Sequence, residues 1–147
     1  MPAKSNIVLQ SLSIAALFTA VFAGGCGEGT VSVSGRVTYN GGSWPKPGVI
    51  HFLPEEPDPD YPSRPGSGQF DTDGQFTVST YKPGDGLFPG TYSIAVECWL
   101  EPPSLEKSSA GRSAAPPKYQ SGRTSDLKVT IEPDKPRRDL ELNIPRP

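Results

Sequence analysis

Residues 84–96, Gly84-Asp85-Gly86-Leu87-Phe88-Pro89-Gly90-Thr91-Tyr92-Ser93-Ile94-Ala95-Val96 (GDGLFPGTYSIAV), decide the fold because their two halves make different demands. The first seven hold three glycines, a proline and an aspartate, while the rest alternate large and small side chains. A phosphate-cradling loop of the Walker type follows a strand, precedes a helix and ends in Gly-Lys-Ser/Thr. Here Thr91 follows the last glycine, and the alternation that begins there specifies a strand. No helix N-terminus is on hand to hold an anion, so the phosphate reading fails. Asp85 and Gly86 read as a bend, and Gly90 as the residue that permits a tight β-turn. A strand follows from Thr91 to Leu100, with Tyr92, Ile94, Val96 and Cys98 facing inward. Tyr92 becomes an anchor whose hydroxyl needs a hydrogen-bond partner once buried.

The same period of two recurs on either side. Thr30 to Tyr39 places Val31, Val33, Gly35, Val37 and Tyr39 on one face and Ser32, Ser34, Arg36 and Thr38 on the other. Asn40-Gly41-Gly42 ends that strand with residues that tolerate positive φ. Gly48 to Leu53 is a second strand, with Ile50 and Phe52 inward and Pro54 as its stop. Ser67 to Asp71 and Gln75 to Thr80 flank Thr72-Asp73-Gly74, and Asp-Gly between alternating runs signals a hairpin. Asp126 to Glu132 carries Leu127, Val129 and Ile131, and Arg138 to Ile144 carries Leu140, Leu142 and Ile144. No stretch past Cys26 sustains a period of 3.6 residues. The expectation is an all-β fold, a single seven-stranded antiparallel β-sandwich. Pro54 to Pro65 and Pro102 to Pro117 read as loops, with polyproline character in the first.

The 147 residues leave room for one domain and a terminal segment. Lys4, a mostly apolar run from Ile7 to Ala23 and then small residues have the architecture of a secretory signal. Ala23-Gly24-Gly25-Cys26 resembles the bacterial lipobox, whose cysteine becomes the lipidated first residue of the mature chain. That motif prefers Leu where Ala23 stands, and ordinary cleavage after Ala23 is the competing reading. The expected organisation is a signal peptide over 1–25, a short tether over 26–29 and a β-domain over 30–147. The expected location is outside the cytoplasm, anchored to a bacterial cell membrane through lipid on Cys26. Cys26 and Cys98 are the only cysteines, so lipidation leaves Cys98 without an intramolecular partner. In step with Tyr92, Ile94 and Val96, Cys98 reads as a small buried hydrophobe. Loss of residues 1–25 removes Lys4 and no acid, so 14 basic residues become 13 against 16 acidic, a net charge of −3. That mixed, weakly acidic surface supplies no electrostatic basis for nucleic-acid binding.

Catalytic and metal-binding patterns are sparse. His51 is the only histidine, so any Ser/His/Asp or Cys/His set would have to use it. Its phase between Ile50 and Phe52 turns it outward. Asp71-Thr72-Asp73-Gly74 matches the opening of a calcium loop but lacks the third acid and the later glutamate, and a hairpin turn accounts for both acids. Neither a catalytic residue, a metal nor a cofactor is expected. Trp44 in a loop and Trp99 in outward phase on the fifth strand are candidates for stacking on a sugar or another planar ligand, with packing beneath the long loops as the alternative.

Pro89-Gly90-Thr91-Tyr92-Ser93-Ile94-Ala95-Val96 resembles the P-G-x-Y-x-V-x-V stretch of carboxypeptidase regulatory-like domains, which are transthyretin-type (prealbumin-like) sandwiches. Val33-Ser34-Gly35-Arg36-Val37-Thr38-Tyr39 and Asp71-Thr72-Asp73-Gly74-Gln75-Phe76 are similar to further pieces of the same family. Pro117-Lys118-Tyr119 followed by Thr124-Ser125-Asp126-Leu127-Lys128-Val129 resembles short bacterial lipoproteins of this type. The resemblance implies a seven-stranded fold and a non-enzymatic module that supports folding, surface display or contact with envelope proteins. The functional expectation is an exported lipoprotein acting as a structural or protein-interaction module of the cell envelope. The alternative is a carbohydrate- or polymer-binding module using exposed aromatics, with glycans as partners.

Overall fold

The computed structural model describes residues 29–146; the stretch expected to be a signal peptide and Cys26 lie outside them. The alternating runs form β1 (Val33–Tyr39), β2 (Gly48–Pro57), β3 (Gly66–Phe70), β4 (Gln75–Thr77) and β5 (Gly90–Glu97). A small pair follows, β6 (Trp99–Glu101) and β7 (Arg112–Ser113), then β8 (Lys128–Ile131) and β9 (Arg137–Ile144). One seven-stranded sheet takes the order β8-β5-β2-β3-β4-β1-β9, while β6 and β7 pair separately.

Geometry forces that sheet to curl. Its outermost strands, β8 and β9, are joined by only the residues between Ile131 and Arg137. Such a link reaches at most about 21 Å, whereas seven strands laid flat would be about 29 Å across. The edges therefore come round toward each other, and the sheet is nearly barrel-shaped. Val129 and Ile131 from one edge share a core with Leu140 and Ile144 from the other. Val33, Val37, Ile50, Phe52, Phe70, Tyr92, Ile94 and Val96 fill the middle, so most inward residues expected from alternation are core, while Tyr39, Leu127 and Leu142 pack against it only partly buried.

The expectation of a wholly antiparallel sheet is corrected at one ladder, where β1 and β9 run parallel. Every other ladder of the sheet is antiparallel. Parity explains the exception. The short link turns the chain back between β8 and β9, so these edge strands run in opposite directions, which six antiparallel ladders between them would forbid. One ladder must be parallel, and it is the one between the first strand and the last.

Pro54 does not stop β2. Pairing between β2 and β3 ends at Phe52↔Gly66, whereas pairing with β5 continues past a bulge to Pro57↔Gly90. From Leu53 onward β2 has a neighbour on one side only, where a proline costs no ladder hydrogen bond. The expected fifth strand breaks at Cys98. There the carbonyl of Cys98 turns aside to accept the Ala114 N–H at 2.8 Å and the Ser113 hydroxyl at 3.2 Å.

The segment after β7 is more than a loop. It makes a 3-10 turn at Pro117–Tyr119 and crosses the outside of β5, burying Ser93 and Ala95 as well as the inward residues of that strand. A side chain at Gly122 would lie 2.5 Å from Leu53 and 2.7 Å from the Ser93 hydroxyl, which measures how closely the backbone passes.

Candidate functional site

The glycine-rich half of the opening stretch does hold an anion, and the anion is its own. Asp85 Oδ1 accepts the N–H of Thr80 at 2.7 Å, and Oδ2 accepts those of Tyr81 and Lys82 at 2.9 Å each. Burial alone would raise this carboxyl's pKa, but the three N–H groups outweigh it and hold the pKa below its ordinary value of 3.8. The Thr80 hydroxyl donates to the Gly86 carbonyl at 2.6 Å, and the Gly84 N–H reaches the Ser79 hydroxyl at 2.9 Å. The turn is thereby pinned from both sides. Further on, Gly90 has φ +143° and leads into β5. The buried Tyr92 hydroxyl donates to the Phe88 carbonyl at 2.9 Å, which meets the demand read from the sequence. Burial pushes the Tyr92 pKa up to about 12.

The pinned turn forms one wall of an open groove of about 940 Å³ on the outer face of β3, β4 and β1. Outward positions of three strands meet there because Ser34 pairs with Thr77 across β1 and β4, and Ser67 bridges to Ser79. Gln69 and Gln75 add amides, and the backbone of Gly35 and Gly68 forms part of the floor. Arg138 from β9 stands at one side and Lys82 at the other. Tyr81, 61% exposed, packs edge-on against Phe88 with ring centroids 6.0 Å apart, and the Arg64 guanidinium lies 5.8 Å from its ring.

The residues expected to stack on a ligand part company. Trp44 is corrected: it is 2% exposed, stacked on Tyr39 at 5.0 Å and tilted against Phe70 at 5.0 Å. Its indole N–H donates to the Val37 carbonyl at 2.9 Å, so the residue closes the core at the β1–β2 connection. Trp99 is half-buried beside a small cleft of about 280 Å³ lined by Pro47, Val49 and Gln69, and its indole N–H donates to Glu97. The two indoles form no common strip. Cys26 lies outside the described residues.

His51 lies on the outer face of β2, with Nε2 3.7 Å from Glu97 Oε2. Asp71, read as a turn acid, accepts the Gln75 N–H through its side chain at 3.0 Å, while Gly74 adopts φ +83°. Cys98 is buried and directs its thiol at the Lys46 carbonyl, 3.3 Å away. Burial raises its pKa, only partly offset by its contacts with Lys46. Among the described residues no group of three or more His, Cys, Asp or Glu side chains is placed to hold a metal ion. No helix there is long and apolar enough to cross a membrane.

The groove escaped sequence reasoning because its residues come from four strands and a turn, and no local spacing marks them. The one legible hint was the outward set Ser34, Gln69, Gln75 and Thr77, polar positions on strands that later prove adjacent. Comparison with known protein families, curated proteins and solved structures finds no match to this chain.

Proposed function

We propose that this chain is an exported lipoprotein, tethered through Cys26, whose β-domain serves as a non-enzymatic structural or protein-interaction module of a bacterial cell envelope. One observation carries the reading. Reactive or polar side chains within the motifs weighed for ligand or metal binding hold the shape: Asp85 in its turn, Asp71 in the hairpin, the Cys98 thiol on a backbone carbonyl and the Trp44 indole on the Val37 carbonyl, as does the Tyr92 hydroxyl on Phe88.

The finer fold reading, a transthyretin-like sandwich of the carboxypeptidase regulatory-like type, belongs to the same proposal. It is supported by the structural work done at the matching positions. Gly74 and Gly90 adopt positive φ, and Tyr92 anchors the turn before β5. The Pro117–Tyr119 turn and buried Ser125 belong to the segment that crosses β5. Metabolic labelling with a fatty acid, comparing wild type with Cys26→Ala, tests the tether. Label is expected in wild type alone, and equal label in both would sink the idea.

The second reading, a carbohydrate- or polymer-binding module, is favoured by the polar groove rather than by Trp44 and Trp99.

A further inference from the structure

We propose that the groove over β3, β4 and β1 binds an acidic saccharide, whose charged groups pair with Arg138 and Lys82 and whose hydroxyls pair with Ser67, Gln69, Gln75 and Thr77. The inference rests on the carbohydrate-binding reading and narrows it to sugars bearing carboxylate or sulfate.

Charge gives the first argument. Arg138 and Lys82 line the groove, and no Asp or Glu does. Neither cation takes part in an ion pair among the described residues, where the five ion pairs use other side chains. Arg64 at the Tyr81 ring adds a third cation at the rim. A locally positive trough on a chain of net charge −2 selects for an anion. Arginine in particular offers a fork of N–H donors matched to a carboxylate or sulfate.

Hydrogen-bonding capacity gives the second. The side chains of Ser67, Gln69, Gln75 and Thr77 face the groove and bond to no protein group among the described residues. Each hydroxyl or amide can both donate and accept, the same dual capacity that a sugar hydroxyl has. An apolar peptide or an acyl chain would strip water from these groups and return no hydrogen bond. A polyanion lacking hydroxyls would satisfy the cations and leave this row no better paired than water does.

Shape gives the third. The trough is open to solvent and runs over three strands, so a chain of sugar rings can lie through it. Its volume is at the upper end of the range of about 300–1,000 Å³ found for ligand sites. Tyr81, braced by Phe88, offers a ring at one end against which the apolar face of a pyranose can pack.

Isothermal titration of the full-length chain in detergent, with an oligouronate hexasaccharide, cellohexaose and hexaglutamate as probes, tests the proposal. The oligouronate is expected to bind, and about tenfold more weakly after either Arg138→Gln or Lys82→Gln, with further weakening at high salt. Thr77→Val and Gln75→Ala should each weaken it about threefold. All four positions are exposed, and an unchanged melting temperature confirms that each variant is folded. Cellohexaose binding as tightly as the oligouronate overturns the charge inference and leaves the carbohydrate reading standing. Hexaglutamate binding as tightly assigns the groove to acidic peptides and overturns the proposal. Binding of neither sugar overturns both.

Discussion

Replacing Asp85 with asparagine probes the turn on which both the fold and the groove wall depend. The carboxylate gathers three backbone N–H groups at 2.7–2.9 Å. Asparagine offers one carbonyl oxygen, so the Thr80 contact survives as a neutral bond, while an NH2 group is turned toward the N–H groups of Tyr81 and Lys82. A hydrogen bond to a charged group contributes about 1.5–3 kcal/mol when shielded from water. Tyr81 and Lys82 are exposed, so water replaces their lost acceptor, and screening reduces each loss to about 1 kcal/mol. Losing charge assistance at half-buried Thr80 adds about 0.5–1 kcal/mol. The variant should be less stable at pH 7 by about 2–3 kcal/mol, a fall in Tm of about 6–15 °C for a domain of this size.

The pH dependence has a definite sign. The folded pKa of Asp85 is depressed, so its contribution is present above the unfolded value and lost as pH falls through the folded one. The gap between wild type and Asp85→Asn should be full at pH 7 and narrow below about pH 4. Asp126 and Glu132, lowered by hydrogen bonds from Lys118 and Lys135, titrate in the same range in both proteins and cancel in the difference. Urea unfolding at pH 7 and pH 2.5, followed by tryptophan emission, to which buried Trp44 and half-buried Trp99 both contribute, supplies the measurement. Equal midpoints at pH 7, or a gap of the same size at both pH values, would refute the reasoning.

Three other outcomes are expected. Tyr92→Phe removes the hydroxyl that donates to the Phe88 carbonyl and should cost about 1–2 kcal/mol in the same unfolding assay; an unchanged midpoint would deny that bond any net role. Gly86→Ala and Gly41→Ala form a matched pair, since both glycines have positive φ, +90° and +75°. A Cβ at Gly86 would lie 1.8 Å from the Val31 carbonyl oxygen, whereas one at Gly41 has nothing within 4 Å. The Gly41 change should cost about 1–2 kcal/mol from backbone strain alone, the Gly86 change at least about 3 kcal/mol as the Val31–Leu87 bridge gives way. Similar losses for both would count against the packing account. Finally, buried Cys98, its pKa raised by burial, should resist iodoacetamide at pH 8 in the folded protein and react in urea; native labelling at the rate of a free thiol would contradict it.

Local patterns made most of the sheet legible. Period-two alternation identified Val33, Val37, Ile50, Phe52, Ile94, Val96 and Ile131 as core, because in a strand the face is set by parity alone. The Asp73-Gly74 hairpin and the need of Tyr92 for a partner were equally local. What escaped was set by distant neighbours. Whether Pro54 ends β2 depends on β3 having already departed, a fact about another strand. The parallel β1–β9 ladder follows from the strand order of the whole sheet together with the short turn between its two edges. Trp44 stood in a loop by its own residues, and only Tyr39 and Phe70 meeting over it make it core. Asp85 was read as a bend, yet three N–H groups converging on it turn that bend into a small anion site.

The parallel seam between the first strand and the last also fixes when the domain can be completed. Thr38 bonds to the Leu142 carbonyl across 104 residues of chain. Until residues 137–144 are in place, β1 has β4 as its only ladder partner among the described strands of the sheet, and the side of the core that Leu140 and Ile144 cover stays open. Contacts this remote in sequence form late and slowly. The domain therefore stays unclosed until β9 docks, and its eight residues act as the latch.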